Sequence, residues 1–577
     1  MDQAGPGQSL SPLERGSIWR PLDKEKREIR ILLLQPSGEE NDALYADLEI
    51  VSMDSGPEYN AISYVWGDAS DTTAIFMNGG KVIQITKNLA AALRRFRDDP
   101  VVVPLWADAV CINQMDLEER ADQVRIMGKI YAAAVQVNVW LGRLSDRGWY
   151  DALYSRLGVE NMPRTDEMLQ RQQILFEDML SQVIGDINIY THRFGLDNWT
   201  SWLSTLSLCP WFSRLWVIQE IAFARSGIFF SGRHSCTRDA LRSILDQVAS
   251  RTSLRSPFAI PMLEACHQIS TAIQARDVAL SWCRCEIMQL CSHLHCHNDL
   301  DKVYGLLELS RTAYDFPIDY RRTTEEVYID FATSCIAIEG HENIFLRSSC
   351  RKERSSELPS WVPDWRKQLR PSTYAFSEIA KLHAACAPFL QGLAFERSLK
   401  VEGSKLRILA LVVDRVDTCV PTYSDVVKSK ASLEGKKPEP PLLKTFQRWQ
   451  RSLPNFQENL LQVVCYGAWQ TRGAYRHVMP ADSEEMEQLW RTIQDPLSRM
   501  EDIFRDVSLG NAGVCVVRAE LFLTTSGRLG NAGTEVDAND LVALFPGCGM
   551  PFIIRPVEDL AGEKSFRLIC PATSTAS

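Results

Sequence analysis

The sequence predicts an α/β fold: a parallel sheet covered by helices, then a largely helical region, then a small C-terminal β-module. Three observations carry this. Residues 101–142 read as strand, helix and strand in succession, a βαβ unit whose strands must run parallel. "YNAISYVWGD" at 59–68 is a near-continuous apolar run ending in Gly-Asp, as a strand buried on both faces requires. The C-terminal residues hold short β-like runs, "VCVV", "LFLTT", "LVALF" and "PFIIRP", between glycine-rich turns.

In chain order, residues 1–28 are polar with Pro and Gly and read as a disordered leader. They lack the apolar segment of a signal peptide. Residues 29–51 hold two apolar stretches split by a polar turn, a β-hairpin. Residues 74–86 form a second hairpin around Asn78-Gly79-Gly80. The Gly-Lys there lacks the spacing of a phosphate-binding loop. Residues 88–100 are a helix ended by Pro100, and "VVVPLWADAVCINQ" at 101–114 is a buried strand. Asp116 and Glu119 form a capping signal. Leu117, Ala121, Val124, Gly128 and Tyr131 mark one face of the helix that follows. "VQVNVWLG" at 135–142 closes the βαβ unit.

Helices are expected through residues 143–200 and on to about residue 340, including "WFSRLWVIQEIAFA" at 211–224. "LPSWVPDWR" at 358–366 is a connector, and "EGKKPEPP" at 434–441 resembles a linker. "LGNAG" occurs at 509–513 and 529–533 and suits two similar turns. The expected organisation is a leader (1–28), an α/β domain (29–225), a helical region (226–365), a helical and linker region (366–505) and a β-module (506–577).

The 577 residues are enough for several domains, and 45% are hydrophobic. A net charge of -10 argues against a nucleic-acid partner. No apolar run is long enough for a membrane span. Sixteen cysteines without a secretion signal point to reduced thiols in a cytosolic or nuclear setting, and a cytoplasmic one is expected.

Ligands of parallel α/β sheets bind beyond the carboxyl ends of strands. Three predicted strands end in Trp66-Gly67-Asp68, in Asn113-Gln114 and in Leu141-Gly142, so these residues should share one edge. Gly67 permits close approach, and Asp68, Asn113 and Gln114 offer polar contacts. The competing reading is loop chemistry, since such residues end strands everywhere. Asp108, an acid inside a predicted buried strand, needs a partner such as Arg120 or a backbone amide, or else a raised pKa.

Glu220 interrupts an apolar helix. Held against Trp216 and Val217, it would be partly desolvated. Such a carboxylate suits stabilisation of an oxocarbenium charge during glycosidic cleavage. The alternative is a structural salt bridge, for which Arg214 lies on another helical face. "CRCEIMQLCSHLHCHND" at 283–299 is rich in Cys and His. On a continuous helix these side chains spread over several faces, so no metal site is expected. The hydrolase, metalloprotease and dinucleotide-binding motifs are absent.

"YNAISYVWGD", "LWADAVCINQMDLEERADQVRIMGKIYAAAVQVNVWLG" and "WFSRLWVIQEIAFA" together resemble, in order, the three signature blocks of the fungal heterokaryon incompatibility (HET) domain. The similarity continues through "DKVYGLLELS", "IDYRRTTEEVYIDFA" and "LPSWVPDWR" and into the tail, which lacks the "GECYVHG"-like stretch common in the family. The resemblance implies fungal nonself recognition and programmed cell death. It also implies a distant similarity to TIR domains, with their flavodoxin-like parallel sheet. By that similarity Trp216 and Glu220 match the helix element that carries the glutamate of NAD-cleaving members, and Glu220 is the catalytic candidate. Tyr64 or Trp216 would stack on a ring, while Asp68 and Asn113 would orient hydroxyls or phosphates. The rival implication is a non-enzymatic module that self-associates or recruits protein partners. No cofactor is expected, and NAD enters only as a substrate.

Overall fold

The computed structural model describes residues 18–37, 43–98, 100–142, 209–232, 234–243, 283–309, 316–348, 357–367, 399–420, 448–449, 451, 453, 469–471, 474–476, 520–532, 535–557 and 565–574. The expected helices of 143–200, the linker at 434–441 and the first "LGNAG" copy lie outside them.

Nine strands form one mixed sheet. They are β1 (Glu28–Leu34), β2 (Leu44–Ser52), β3 (Asn60–Tyr64), β4 (Thr72–Met77), β5 (Lys81–Thr86), β6 (Val103–Trp106), β7 (Gln136–Trp140), β8 (Gly227–Ser231) and β9 (His234–Thr237), in the order β5-β4-β2-β1-β6-β3-β7-β8-β9. The central β6, β3, β7 and β8 are mutually parallel. Numbered along the chain, their order is 2-1-3-4.

The flanks are antiparallel where β1 pairs with β2 and β6, β4 with β5, and β8 with β9. The sheet is therefore mixed rather than parallel throughout. The reason is local: β4 and β5 are joined by a single tight turn, Asn78–Gly80, and β8 and β9 by a turn in which Gly232 takes φ 55°. Short turns return the chain antiparallel, whereas a parallel pair needs a longer crossover. Both predicted hairpins form, at β1–β2 and β4–β5. Strands β8 and β9 lie in the stretch read as helical; the apolar run "GIFFS" is too short to separate helix from strand by periodicity.

Helix α1 (Lys87–Phe96) is capped by the Thr86 hydroxyl, which accepts from the Leu89 amide. It buries Leu89, Ala90, Ala92 and Leu93. The predicted strand at 101–114 ends at Trp106, and Asp108 opens a single helical turn, α2 (Asp108–Cys111). The next predicted helix is two, α3 (Leu117–Arg125) and α4 (Met127–Ala133), broken where Ile126 takes φ -108° and ψ 7°. Of the predicted inward face, Ala121, Val124, Gly128 and Tyr131 are buried, but Leu117 is exposed. Trp19, within the expected leader, is buried and donates its indole N–H to the Val110 carbonyl at 2.8 Å.

The chain divides into two compact units, Met1–Thr252 with Ile260–Arg322, and Ser253–Ala259 with Thr323–Ser577. The sheet belongs to the first. So do α5 (Trp216–Ala222), α6 (Arg284–Leu290) and α7 (Asp301–Tyr304).

In the second unit, Thr323 and Glu326 form a reciprocal capping box at the start of α8 (Thr324–Glu339). Helix α9 (His341–Arg347) follows. The Trp365 ring packs edge-on against Tyr328 and Phe331 of α8, so the expected connector at 358–366 is buried against that helix. Six strands close a barrel in the order β10 (Leu411–Val420), β11 (Glu520–Thr524), β12 (Leu529–Ala532), β15 (Ser565–Ser574), β14 (Phe552–Val557) and β13 (Leu541–Leu544).

The second "LGNAG" copy supplies β12 rather than a turn. Its Leu529–Ala532 are buried and pair with β11 on one side and β15 on the other. Gly530 stands directly opposite Phe522, whose ring covers it. A Cβ there would fall inside the ring's van der Waals envelope, so Gly530→Ala should lower barrel stability by about 1–3 kcal/mol, the usual cost of overpacking. A urea titration followed by near-ultraviolet circular dichroism checks this. An unchanged midpoint would show that the ring moves aside freely. Among the described residues no helix is long and apolar enough to cross a membrane.

Candidate functional site

Strand β3 is the middle of the parallel core, and it places Ser63 on the opposite side of the sheet from Ile62 and Tyr64. Ser63 is fully buried. Its hydroxyl accepts the Trp211 indole N–H at 2.7 Å and donates to Oε2 of Glu220. Glu220 comes from α5, which packs across β3 and α4. Trp211 comes from the 3-10 turn Pro210–Ser213 and sits edge-on to Phe212 and Phe229. A serine inside the apolar strand "NAISY" was the one signal for this chain of contacts, and neither Ser63 nor Trp211 was singled out from sequence.

Glu220 is only 3% exposed. Burial pushes its carboxyl up to about 7, opposed by the charge of Arg214 and the Ser63 hydrogen bond and reinforced by the charge of Asp108. Among the described residues it makes no ion pair within 4 Å. The expected assignment of Arg214 to another helical face does not apply. Arg214 has extended backbone, φ -82° and ψ 140°, and helix α5 begins only at Trp216. Its guanidinium instead reaches the end of β3 and donates to the Tyr64 carbonyl.

The extended stretch is held by backbone pairing with His295: the Leu215 amide donates to the His295 carbonyl at 2.8 Å, and the His295 amide donates to the Ser213 carbonyl at 2.6 Å. The Cys/His-rich segment is thus not one helix. Helix α6 stops at Leu290, and the residues after it turn back to dock against residues 213–215.

The carboxyl edge brings several predicted residues together. Trp66 donates its indole N–H to Oδ2 of Asp108 at 2.8 Å, and the Gln114 amide group donates to the Asp108 carbonyl at 2.9 Å. Asp108 is half-buried at the start of α2, rather than inside a strand. Its Oδ1 accepts from the Ala109 amide at 2.8 Å.

Tyr64 is 2% exposed. Burial above all, and then the neighbouring Asp108 carboxylate, hold its phenol well above the ordinary pKa. Trp66, 39% exposed, is the aromatic open to solvent on this edge. Gly67 takes φ 76°, and a Cβ there would meet Asn88 at 3.6 Å. Asn88 was also missed: it donates to the Val65 carbonyl at 2.6 Å and accepts the Trp140 indole N–H at 3.0 Å. It therefore bridges the ends of β3 and β7, and the edge stays open on the β6 side, at Trp66 and Asp108.

The other predicted residues face elsewhere. Asp68 is exposed, and its carboxylate accepts the Ser70 amide and hydroxyl, which lower its pKa. Asn113 accepts the Met115 amide at 3.3 Å and donates its own amide to Glu119 at 2.8 Å, closing a turn. The strand predicted to end there stops at Trp106, so Asn113 is not a strand-end residue.

Trp216 lies one turn before Glu220 but donates to Oδ2 of Asp301 at 3.2 Å. Asp301 also accepts the Tyr320 hydroxyl at 2.9 Å, and burial pushes its carboxyl up to about 6. Trp216 is thereby tied to α7.

The arrangement offers a desolvated carboxyl behind a half-buried guanidinium, beside an aromatic and acidic surface at the sheet's carboxyl edge. Against known proteins, residues 59–220 match the family model described as heterokaryon incompatibility protein (HET). A curated relative from Neurospora crassa, "Heterokaryon incompatibility protein 6, OR allele", is 28% identical over 410 residues. The match covers 60% of this chain and 59% of the relative's length. No solved structure matches the chain.

Proposed function

The chain carries a HET domain over residues 59–220, and on that premise we propose that it acts in heterokaryon incompatibility, as a cytoplasmic trigger of a nonself death response. One observation carries this reading beyond the match. Three blocks distant in sequence converge on one carboxylate: Ser63 of the first touches Glu220, Asp108 of the second acts on its charge, and Trp211 of the third fixes Ser63. Self-association or a protein partner supplies the trigger.

NAD cleavage is the second reading. It is favoured by the 2-1-3-4 order of the parallel strands, which flavodoxin-like and hence TIR-like sheets share. It is also favoured by a buried glutamate whose carboxyl titrates near neutrality. Water would replace nicotinamide on the ribose carbon, giving ADP-ribose, nicotinamide and a proton. The Glu220 carboxylate would stabilise the ribosyl cation. At 3% exposure Glu220 touches no substrate, so bond cleavage requires the Arg214–Tyr64 layer to open on activation.

The test is inducible expression of the full chain in yeast, alone and fused to a forced-dimerisation tag. Growth arrest by the dimerised wild type and its loss in Glu220→Ala are expected. No arrest in either form would sink the incompatibility reading. Arrest with unchanged cellular NAD would remove the enzyme and leave an interaction module.

A further inference from the structure

Residues 316–322 are the last stretch of the first unit before the chain passes to the second at Thr323. They are pinned along their length. Phe316 and Ile318 are buried. The Tyr304 hydroxyl grips the Asp319 backbone twice, donating to its carbonyl at 3.1 Å and accepting its amide at 3.2 Å. The Tyr320 hydroxyl donates to Oδ1 of Asp301 at 2.9 Å, and the Arg120 guanidinium of α3 lies 3.7 Å from the centre of the Tyr320 ring. Arg321 pairs with Asp319 and reaches Glu118 of α3 at 3.8 Å. Asp301 opens "DKVYGLLELS" and Tyr320 lies in "IDYRRTTEEVYIDFA", two stretches outside the carboxyl-edge site.

The Tyr320 hydroxyl ends on a buried carboxylate that also holds α5. Oδ1 of Asp301 takes Tyr320, and Oδ2 takes the Trp216 indole N–H at 3.2 Å. Trp216 is the first residue of α5, and Glu220 lies one turn on. Asp301 is buried, so each donor stands in for lost water. Without Tyr320 a desolvated acceptor is left short of a donor; it turns to solvent and gives up Trp216. On the other side there is no slack. Thr323 is already the N-cap of α8, locked to Glu326 by reciprocal capping bonds. Only Arg321 and Arg322 separate Tyr320 from that cap, so a displacement of α8 is delivered directly to Tyr320.

We propose that residues 316–322 are a regulatory strap. While Tyr320 is seated between Arg120 and Asp301, α5 is held against β3. Displacement of the strap by the second unit releases α5, and Glu220 with it. The release is local, and the central strands keep their pairing. The strap supplies the opening on activation that a buried Glu220 requires, and to that extent it rests on the function proposed above.

The first experiment is amide hydrogen exchange, read by peptide mass spectrometry, on the full chain and its Tyr320→Phe and Tyr304→Phe variants. Exchange of residues 216–222 should speed by about tenfold in Tyr320→Phe, as loss of a hydrogen bond to a charged acceptor does, while β3 and β7 exchange as in the wild type. Tyr304→Phe frees the Asp319 backbone and should give the same local pattern, which keeps the test decisive if Tyr320→Phe misfolds. Unchanged exchange of α5 in the folded variants, or acceleration shared equally with β3 and β7, would overturn the strap.

The second experiment adds slack, about six Gly and Ser residues inserted between Arg322 and Thr323 of the full chain. In yeast, forced dimerisation of this variant should no longer arrest growth. Tyr320→Phe with the same insertion should arrest it, because its strap is already open. Arrest by the dimerised insertion variant equal to that of the wild type would overturn the coupling. If the dimerised wild type causes no arrest, the incompatibility reading falls while the exchange result still decides the strap, so the two fail separately.

Discussion

Glu220→Gln should make the HET-containing unit more stable than the wild type at pH 8, and should remove its loss of stability between pH 4.5 and 7. In the folded chain burial holds this carboxyl at about 7, against 4.5 for the ordinary side chain. Below pH 4.5 both states are protonated and no penalty exists. Between the two values the unfolded chain ionises while the folded one keeps its proton. The folded state then binds more protons, and stability falls as pH rises. The penalty levels off above pH 7 at roughly 3 kcal/mol. A neutral glutamine keeps the Ser63 hydrogen bond and escapes the penalty.

Urea unfolding of both proteins at pH 5, 6, 7 and 8 reads the difference directly. Parallel slopes in the two proteins would show that Glu220 is not the titrating group. If the chain cleaves NAD, activity should run the other way, rising through pH 7 as the carboxylate forms and disappearing in Glu220→Gln. A group that costs stability in its active form is a familiar pattern at functional sites.

The second large effect is expected at the other end of the turn that Asp108 opens. Arg30 of β1 is 1% exposed and pairs with both oxygens of Glu119, at 2.6 and 2.9 Å. It also donates to the Cys111 carbonyl at 3.0 Å and to the Arg20 carbonyl. Glu119 in turn accepts the Asn113 amide at 2.8 Å. Arg30→Met or Glu119→Leu leaves one buried charge without its partner. Each should cost about 3–5 kcal/mol, while the double replacement should cost clearly less than the sum. A double-mutant cycle by urea denaturation measures it. Additive losses would mean that the two groups are solvated independently.

Glu119 also shows how far the sequence could be read. Its spacing from Asp116 predicted a capping signal, and Asp116 does accept the Glu118 and Glu119 amides. The Glu119 side chain, however, turns to Arg30, 89 residues away. A cap on an exposed helix start yields to a buried guanidinium that, among the described residues, has no other carboxylate partner.

Local pattern was legible wherever the controlling interaction is local. The β1–β2 and β4–β5 hairpins, strands β3 and β7, helix α1 and the three signature blocks could all be read from the sequence, because apolar spacing and turn residues set them. The break at Ile126, the short β8 and the early end of β6 could not. Periodicity over four to seven residues does not distinguish helix from strand, and tertiary contacts decide.

By itself, then, the sequence determined a chain of strands and helices whose residues 59–220 match the HET family model, with an acid set into an apolar stretch. Only the tertiary structure decided what that acid meets. Ser63 lies 157 residues from Glu220, and Arg214, on extended backbone before the helix, reaches the Tyr64 carbonyl and acts on Glu220 through its charge alone. Which donors surround a carboxyl, and how much water reaches it, depend on strand order and on what packs over it. Neither quantity is a property of any short stretch of chain.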